Sequence, residues 1–411
     1  MHPSETLNKT LEDQLPAAAA CLSKLGRRMF FPMGIPAQAG EARSAKVNAT
    51  IGQLTDGHGG AVALPAIADH LRDISIESTT LYSPQGGNTD LRAAWGKHLQ
   101  KQGSGPMTRP FCTVGLTHGL SLLADLFADE DTDVLLPSPG WGNYGHIFGV
   151  RAGARLHHYP VFRDGKFDTD AIRQALAQVK TKGVLVLNFP GNPTGYTPTP
   201  AELAPWLDAI RETKKPIVVI ADDAYAGFVY EPGRLNRSPF HELADADPER
   251  ILTVKVDGAT KEFCFFGGRV GFVTFGARGP AGDALDTKIK GMARATVSTG
   301  PSISQALVLS ALNAENLAEQ QQVQLKLSER RYRTLKRCLA EHNLSATPFN
   351  SGFFALIPVP GDAEALRQRL LAKGVGVVAF PEHSAIRVAF SSTAEEDMPE
   401  LVRAIAAEIQ G

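Results

Sequence analysis

Short runs dominated by apolar residues punctuate the middle of the chain: Phe111–Val114, Asp133–Leu136, Val184–Asn188, Pro216–Ala221 and Ile251–Val254. Runs of this length without polar alternation mark strands covered on both faces, as in a parallel sheet. Between them lie stretches of helical character: Asn88–Gln100, with Asn88 or Thr89 as N-cap, the amphipathic Leu120–Phe127, and Ala201–Thr213. Strand and helix alternate, which predicts an α/β protein whose mainly parallel sheet lies between helices in three layers, with its chemistry at the strands' carboxyl ends.

The pattern changes at both ends. Glu5–Leu25 reads as a helix and Gly34-Ile35-Pro36-Ala37 as a break in regular structure, so the first segment is expected to be an arm laid over the rest. Val47–Gly52 is strand-like and leads into the turn-rich Thr55–Gly60. From Ser302 the chain reads as helical through Arg333, a solvated basic helix joining two domains. A small α/β unit follows, with strands at Gly352–Leu356, Val375–Phe380 and Ala385–Phe390 and a helix at Ala363–Ala372. The expected division is residues 1–60 as arm and part of a small domain, 61–305 as a large domain, and 306–411 as the rest of the small domain.

Composition narrows the class of partner. With 411 residues the chain is too long for one ordinary core, and 43% hydrophobic with 21% charged residues suits a globular protein. A formal net charge of −1 gives no electrostatic reason to expect nucleic acid or an anionic membrane, which points to a small molecule. Cys21, Cys112, Cys264 and Cys338 are scattered without metal-ligand spacing, so no metal is expected and the thiols read as reduced. Charged residues interrupt the first 24 positions as they would not in a signal peptide, and no stretch approaches the roughly eighteen apolar residues of a membrane helix. A cytoplasmic location is the resulting expectation.

The candidate chemistry centres on Val256–Gly271, where Lys261 follows small residues in a largely apolar run and Arg269 stands eight residues later among Gly267, Gly268 and Gly271. Desolvation lowers an amine's pKa, and a lysine so tuned forms Schiff bases with carbonyls. The guanidinium fork suits a phosphate. A phosphorylated cofactor bearing a carbonyl, pyridoxal 5′-phosphate, would use both. The small-residue turn Gly115-Leu116-Thr117 between a strand and a helix offers free backbone N–H groups and the Thr117 hydroxyl to an anion. Trp141, in Pro137-Ser138-Pro139-Gly140-Trp141, follows a strand where an aromatic can stack on a planar ring. Asn192, in Asn192-Pro193-Thr194-Gly195, keeps its amide free to donate. Asp222-Asp223-Ala224-Tyr225 places a carboxylate and a phenol at another strand end.

In that order and spacing these stretches resemble the fold-type I pyridoxal-phosphate enzymes of the class I and II aminotransferase family, from about Asn48 to Arg387. The resemblance implies an aspartate aminotransferase-like large domain with a smaller α/β domain. It further implies that Lys261 carries the cofactor and moves the substrate proton, that Asp222 rather than Asp223 holds the ring nitrogen protonated, and that Tyr225 and Asn192 bond the phenolic oxygen. Arg387 would clamp the substrate α-carboxylate, and the backbone near Gly52 would line the substrate pocket. Tyr82, before Gly86 and Leu91-Arg92, resembles a tyrosine that reaches the neighbouring subunit's cofactor phosphate, so a homodimer with shared sites is implied. Arg294 resembles an arginine that reads a side-chain carboxylate across the dimer and points to acidic substrates, although the pocket also suits aromatic ones. The family usually has serine three positions before the lysine; this chain has Gly258, which shifts phosphate binding toward Arg269, Thr117 and Thr260. The implied activity is transamination between an L-amino acid, dicarboxylic or aromatic, and a 2-oxo acid. The alternative is a lyase or carbon–carbon bond-forming enzyme on the same fold.

Overall fold

The structure is a computed structural model that describes residues 2–32 and 34–410. Its strands, in chain order, are β1 (Val47–Asn48), β2 (Phe111–Val114), β3 (Thr132–Ser138), β4 (Arg155–Pro160), a short hairpin of β5 (Phe162–Arg163) and β6 (Lys166–Phe167), β7 (Lys182–Asn188), β8 (Ile217–Asp222), β9 (Ile251–Asp257) and β10 (Val270–Phe275). Seven of these form the central sheet in the order β2-β10-β9-β8-β7-β3-β4. Its strands run parallel from β4 through β9, and β10 lies antiparallel to both β9 and β2.

Burial on both faces explains the unbroken apolar runs. Along β7, Leu185 and Leu187 pack with Leu203, Trp206 and Ile210 of helix Pro200–Arg211 on one face. Val184 and Val186 meet Leu116, Leu120 and Leu123 of helix Gly115–Phe127 on the other. The two-residue repeat of the strand thus feeds two separate cores, and each buried Val or Leu contributes about 1.5–3 kcal/mol. Register brings the strand ends level: Asn188 pairs with Asp222, and Asp222 with Val256.

A smaller sheet is built from β11 (Phe354–Pro358), β13 (Val378–Phe380) and β14 (Ala385–Ala389) in the order β11-β14-β13, while β12 (Val375–Gly376) pairs parallel with β1 from the other end of the chain. Arg387 sits in the middle strand, opposite Leu356 and Val378. The two sheets are stitched by backbone bonds. Asn350 and Ser351 donate to the Gly195 carbonyl at 2.8 and 2.9 Å, and Gly352 donates to Phe228 at 2.8 Å.

Several elements differ from the sequence expectation. The first helix is three, Pro3–Gln14, Pro16–Cys21 and Lys24–Arg28, because Pro16 has no N–H to continue the first and instead opens the second. Gly34-Ile35-Pro36 starts a helix, Ile35–Glu41, rather than breaking one, since proline is well placed in a first turn. The strand expected at Val47–Gly52 shrinks to two residues. The long helical stretch divides into Ser302–Asn313 and Leu317–Glu341, and the second is no solvated connector: Tyr332, Leu335 and Leu339 are buried against the smaller sheet.

Gly195 has φ +64°, and a Cβ there would overlap the Phe354 carbonyl oxygen, whereas Gly59, at φ +91°, has nothing within 4 Å. Gly59→Ala is therefore expected to lose about 1 kcal/mol from backbone strain alone, and Gly195→Ala distinctly more. Denaturant unfolding of both variants checks this, and equal losses would show that the seam between the sheets tolerates displacement.

Candidate active site

At the carboxyl ends of β7, β8 and β9 lies an open cavity whose lining includes Thr117, Trp141, Asn192, Asp222, Tyr225 and Lys261. Asp222 ends β8 and is buried. Its Oδ2 accepts the Tyr144 hydroxyl at 2.5 Å and its Oδ1 accepts the Ala224 N–H at 3.2 Å. Burial pushes its carboxyl up to about 6, against the Tyr144 hydrogen bond and the Lys261 charge, while Asp223 pushes it further. The Asn188 side chain ties this end of the sheet together: its amide donates to the Asp222 carbonyl at 2.8 Å and its oxygen accepts the Asn192 N–H at 2.9 Å.

Lys261 stands on a one-turn helix, Ala259–Glu262, directly after β9. Burial pulls its amine down to about 8; Asp222 opposes the shift and Arg269 adds to it. Its Nζ lies 5.0 Å from the centre of the Tyr225 ring. Burial raises the Tyr225 phenol, and a hydrogen bond from Asn192 works the other way.

Close backbone packing builds the anion end. A Cβ on Gly258 would come within 2.6 Å of the Gly271 Cα and the Val270 oxygen, and one on Gly271 within 2.7 Å of the Gly115 carbonyl carbon. No side chain fits at position 258, which accounts for the missing serine. A Cβ on Gly115 would overlap the Arg269 guanidinium, so that glycine admits the arginine to the helix start. Arg269 itself adopts φ +53°, a left-handed conformation unusual for a side-chain-bearing residue, and donates to the Phe266 carbonyl at 3.2 Å. Among the described residues, helix Gly115–Phe127 has no side-chain cap, and the Thr260 hydroxyl is buried without a partner. Free helix N–H groups, an arginine and an orphaned hydroxyl suit a phosphate, and the ring-sized gap between Trp141, Asp222 and Lys261 suits a planar cation with a carbonyl.

Arg387 reaches the cavity from the smaller sheet. It is 1% exposed and has no carboxylate partner among the described residues. It donates to Asn192 Oδ1 at 3.1 Å and to the Thr50 carbonyl at 2.7 Å, and its Nε is unpartnered. Its guanidinium lies 4.2 Å from the centre of the Phe354 ring. A Cβ on Gly52 would strike that ring, so Gly52 acts by leaving room for Phe354. Two expected site residues lie apart from the cavity. Tyr82 is 92% exposed, and Arg294 is on the surface with Nη1 bonded to Ser298 Oγ at 2.5 Å.

Sequence reasoning passed over Tyr144, Asn188 and Phe354. Tyr144 stands three residues after Trp141, close to one helical turn, and the two rings meet edge-on at 5.3 Å. Asn188 could have been found as the polar residue ending an otherwise apolar strand.

The sequence model of the family described as "Aminotransferase class I and II" matches residues 44–405. Among curated relatives, the aspartate/prephenate aminotransferase of Thermus thermophilus is 26% identical over 350 residues, 81% of this chain and 84% of that protein. The aromatic-amino-acid aminotransferase 2 of Thermococcus litoralis is 27% identical over 212 residues, 50% of this chain; here the chain spans about half the relative's length, 52%. The crystal structure of an aminotransferase from Anaerococcus prevotii superposes with a TM-score of 0.84 at 22% identity, covering 93% of this chain and 98% of that one, which shows the fold.

The Asp222 carboxyl, up at about 6 from 3.8, holds its proton more tightly folded than unfolded, so above pH 6 its charge opposes folding, by about 3 kcal/mol at most. In protein freed of ligand, Asp222→Asn should therefore gain about 1–3 kcal/mol at pH 8 and almost nothing below pH 4. Denaturant titration at both pH values decides it; an equal gain at each would assign the effect to packing.

Proposed function

The chain belongs to the class I and II aminotransferase family, and from that premise we propose that it is a pyridoxal-phosphate-dependent aminotransferase acting on dicarboxylic or aromatic L-amino acids and 2-oxo acids. The observation that carries the reading is the meeting of Lys261, Asp222, Tyr225 and Asn192 at one cavity, with Arg269 against the helix start at Gly115 and Arg387 bonded to Asn192 from the second sheet. Pyridoxal phosphate, when bound, supplies an electron sink for the charge left on a substrate's α-carbon.

The chain's own residues do the rest. Gly115, Leu116 and Thr117 offer backbone N–H groups, Thr117 and Thr260 hydroxyls, and Arg269 a guanidinium to the phosphate. Trp141 would lie against the ring. Asp222, oriented by Tyr144, would hold a proton on the ring nitrogen, and Tyr225 and Asn192 would donate to the phenolic oxygen. Lys261, whose amine burial brings down to about 8, takes the α-proton and returns it as general base and acid. Arg387 receives the α-carboxylate on a guanidinium held over the Phe354 ring.

The remaining features fit a homodimer. Tyr82 and Arg294 are exposed outside the lining of their own cavity and would serve the partner's, Tyr82 at the phosphate and Arg294 at a substrate side-chain carboxylate. The smaller sheet, with both chain ends, would form a small domain of residues 1–60 and 306–411 over a large domain of 61–305. The substrate classes follow from relatives named for aspartate, prephenate and aromatic amino acids, and from the aromatic wall of Trp141, Tyr225 and Phe354. Among the described residues, no helix is long and apolar enough to cross a membrane.

Purified protein with bound cofactor should show a visible band that Lys261→Ala abolishes. One amino acid of a panel, added without oxo acid, should move that band to the near-ultraviolet, and ammonia release instead would refute transamination. Arg387→Gln should raise KM for that amino acid by about a hundredfold. Arg294→Ala should lower kcat/KM for aspartate and glutamate while sparing phenylalanine.

A further inference from the structure

Behind Asp222, on the other face of the sheet, lies a second group of charges that the proposed reaction does not use. Val254 and Val256 of β9 face the core that contains Tyr144, so Lys255 and Asp257 point to the opposite side. There Lys255 donates to Asp223, the residue after Asp222, and approaches Asp257 at 3.6 Å. Asp257 also accepts the Trp95 indole N–H at 3.1 Å. Lys255 is 1% exposed, Asp257 2% and Asp223 4%. Around this group stand Glu262, whose carboxylate accepts the His98 ring N–H at 2.7 Å, and His241, whose ring nitrogens have no partner among the described residues. On the cavity side Asp222 faces Tyr144, Tyr225 and Lys261.

A buried ion group of this kind is a poor source of stability, since well-packed apolar residues in its place do as well or better. Its position suggests another use. Asp222 and Asp223 are consecutive and both buried, and a like charge at that range drives one of the two to take up a proton. A protonated Asp222 could no longer hold a cation on the cofactor ring.

We propose that Lys255 is a buried counter-ion that neutralises Asp223 on the rear face of the sheet and thereby keeps Asp222 ionised on the cavity face. Lys255 touches neither cofactor nor substrate; it is a positioning residue for charge. The inference rests on Asp222 being the partner of the ring nitrogen.

The test is binding of pyridoxamine 5′-phosphate, which needs no bond to Lys261, to cofactor-free protein between pH 5.5 and 9, with thermal unfolding of each variant alongside. Lys255→Met should bind about tenfold more weakly than wild type at pH 7 and within about twofold at pH 9, as expected for a carboxyl moved up by about two pH units. Adding Asp223→Asn should restore wild-type binding to within about twofold throughout. Asp223→Asn alone removes the negative neighbour and should tighten binding at pH 5.5 by about threefold. This opposite sign decides the matter even if Lys255→Met does not fold. A Lys255→Met deficit that is equal at pH 7 and 9, or that the double variant does not repair although its unfolding transition is normal, would overturn the proposal. So would weaker binding by Asp223→Asn at pH 5.5. Asp222→Ala separates the two readings, because wild-type binding by that variant would refute Asp222 as the ring partner whatever Lys255 does.

Discussion

Burying Asp222 at the end of a strand raises the free energy of its charged form, and much of the surrounding arrangement answers that penalty. Tyr144 and the Ala224 N–H each give the carboxylate a hydrogen bond. Asn188 fixes the backbone that carries it, and Lys261 lies near enough to favour its charge. These contacts leave the carboxyl up at about 6, ionised at neutral pH with little margin. A bound ring cation would supply the missing stabilisation, so the site is electrostatically incomplete in the sense that favours a cationic ligand.

Arg387 presents the same logic with the opposite sign. Burial lowers its guanidinium to about 10, and its two hydrogen bonds go to neutral oxygens of Asn192 and Thr50. The Phe354 face offers attraction without proton acceptance, which orients the fork while leaving it free for a carboxylate. Asn192 joins the two halves, because it also lines the cavity with Tyr225. The smaller sheet and the loop after β7 are thus coupled through one amide, and the Gly195 carbonyl beside it holds Asn350 and Ser351.

How much was legible in the sequence depended on whether a feature was local. Strands such as β7 and β8 were legible because burial on both faces leaves an unbroken apolar run. The N-cap at Asn88 was legible because its side chain needs only the N–H groups of Asp90 and Leu91. Lys261, Asp222, Asn192 and Arg387 were legible through motifs set in strand ends and turns. Tyr144 was not, since its partner lies 78 residues away and the intervening chain carries no mark of the contact. Lys255 was not either: a lysine inside a strand reads as an edge or solvent-facing residue until β8 and β10 are placed on both sides of it. The division of the N-terminal helices has a local cause, Pro16, which lacks the N–H needed to continue the first of them.

The glycine in the usual place of a serine shows how one packing choice moves chemistry elsewhere. Gly258, Gly271 and Gly115 bring the ends of β9 and β10 and the start of a helix to backbone contact. That closeness removes any side chain at 258, and with it a hydroxyl donor. The same closeness lets Arg269 reach across Gly115 to the helix start, and it leaves the Thr260 hydroxyl buried and unpartnered beside Lys261. Leaving a buried hydroxyl without a partner costs about 1–3 kcal/mol, so this hydroxyl favours an acceptor beside Lys261. An anion at this point would relieve the Thr260 penalty, use the uncapped helix and give the left-handed Arg269 its counter-charge. On the proposed reading, the departure from the family's usual residue would leave the anion site intact and shift its donors from the residue at 258 to those at 260 and 269.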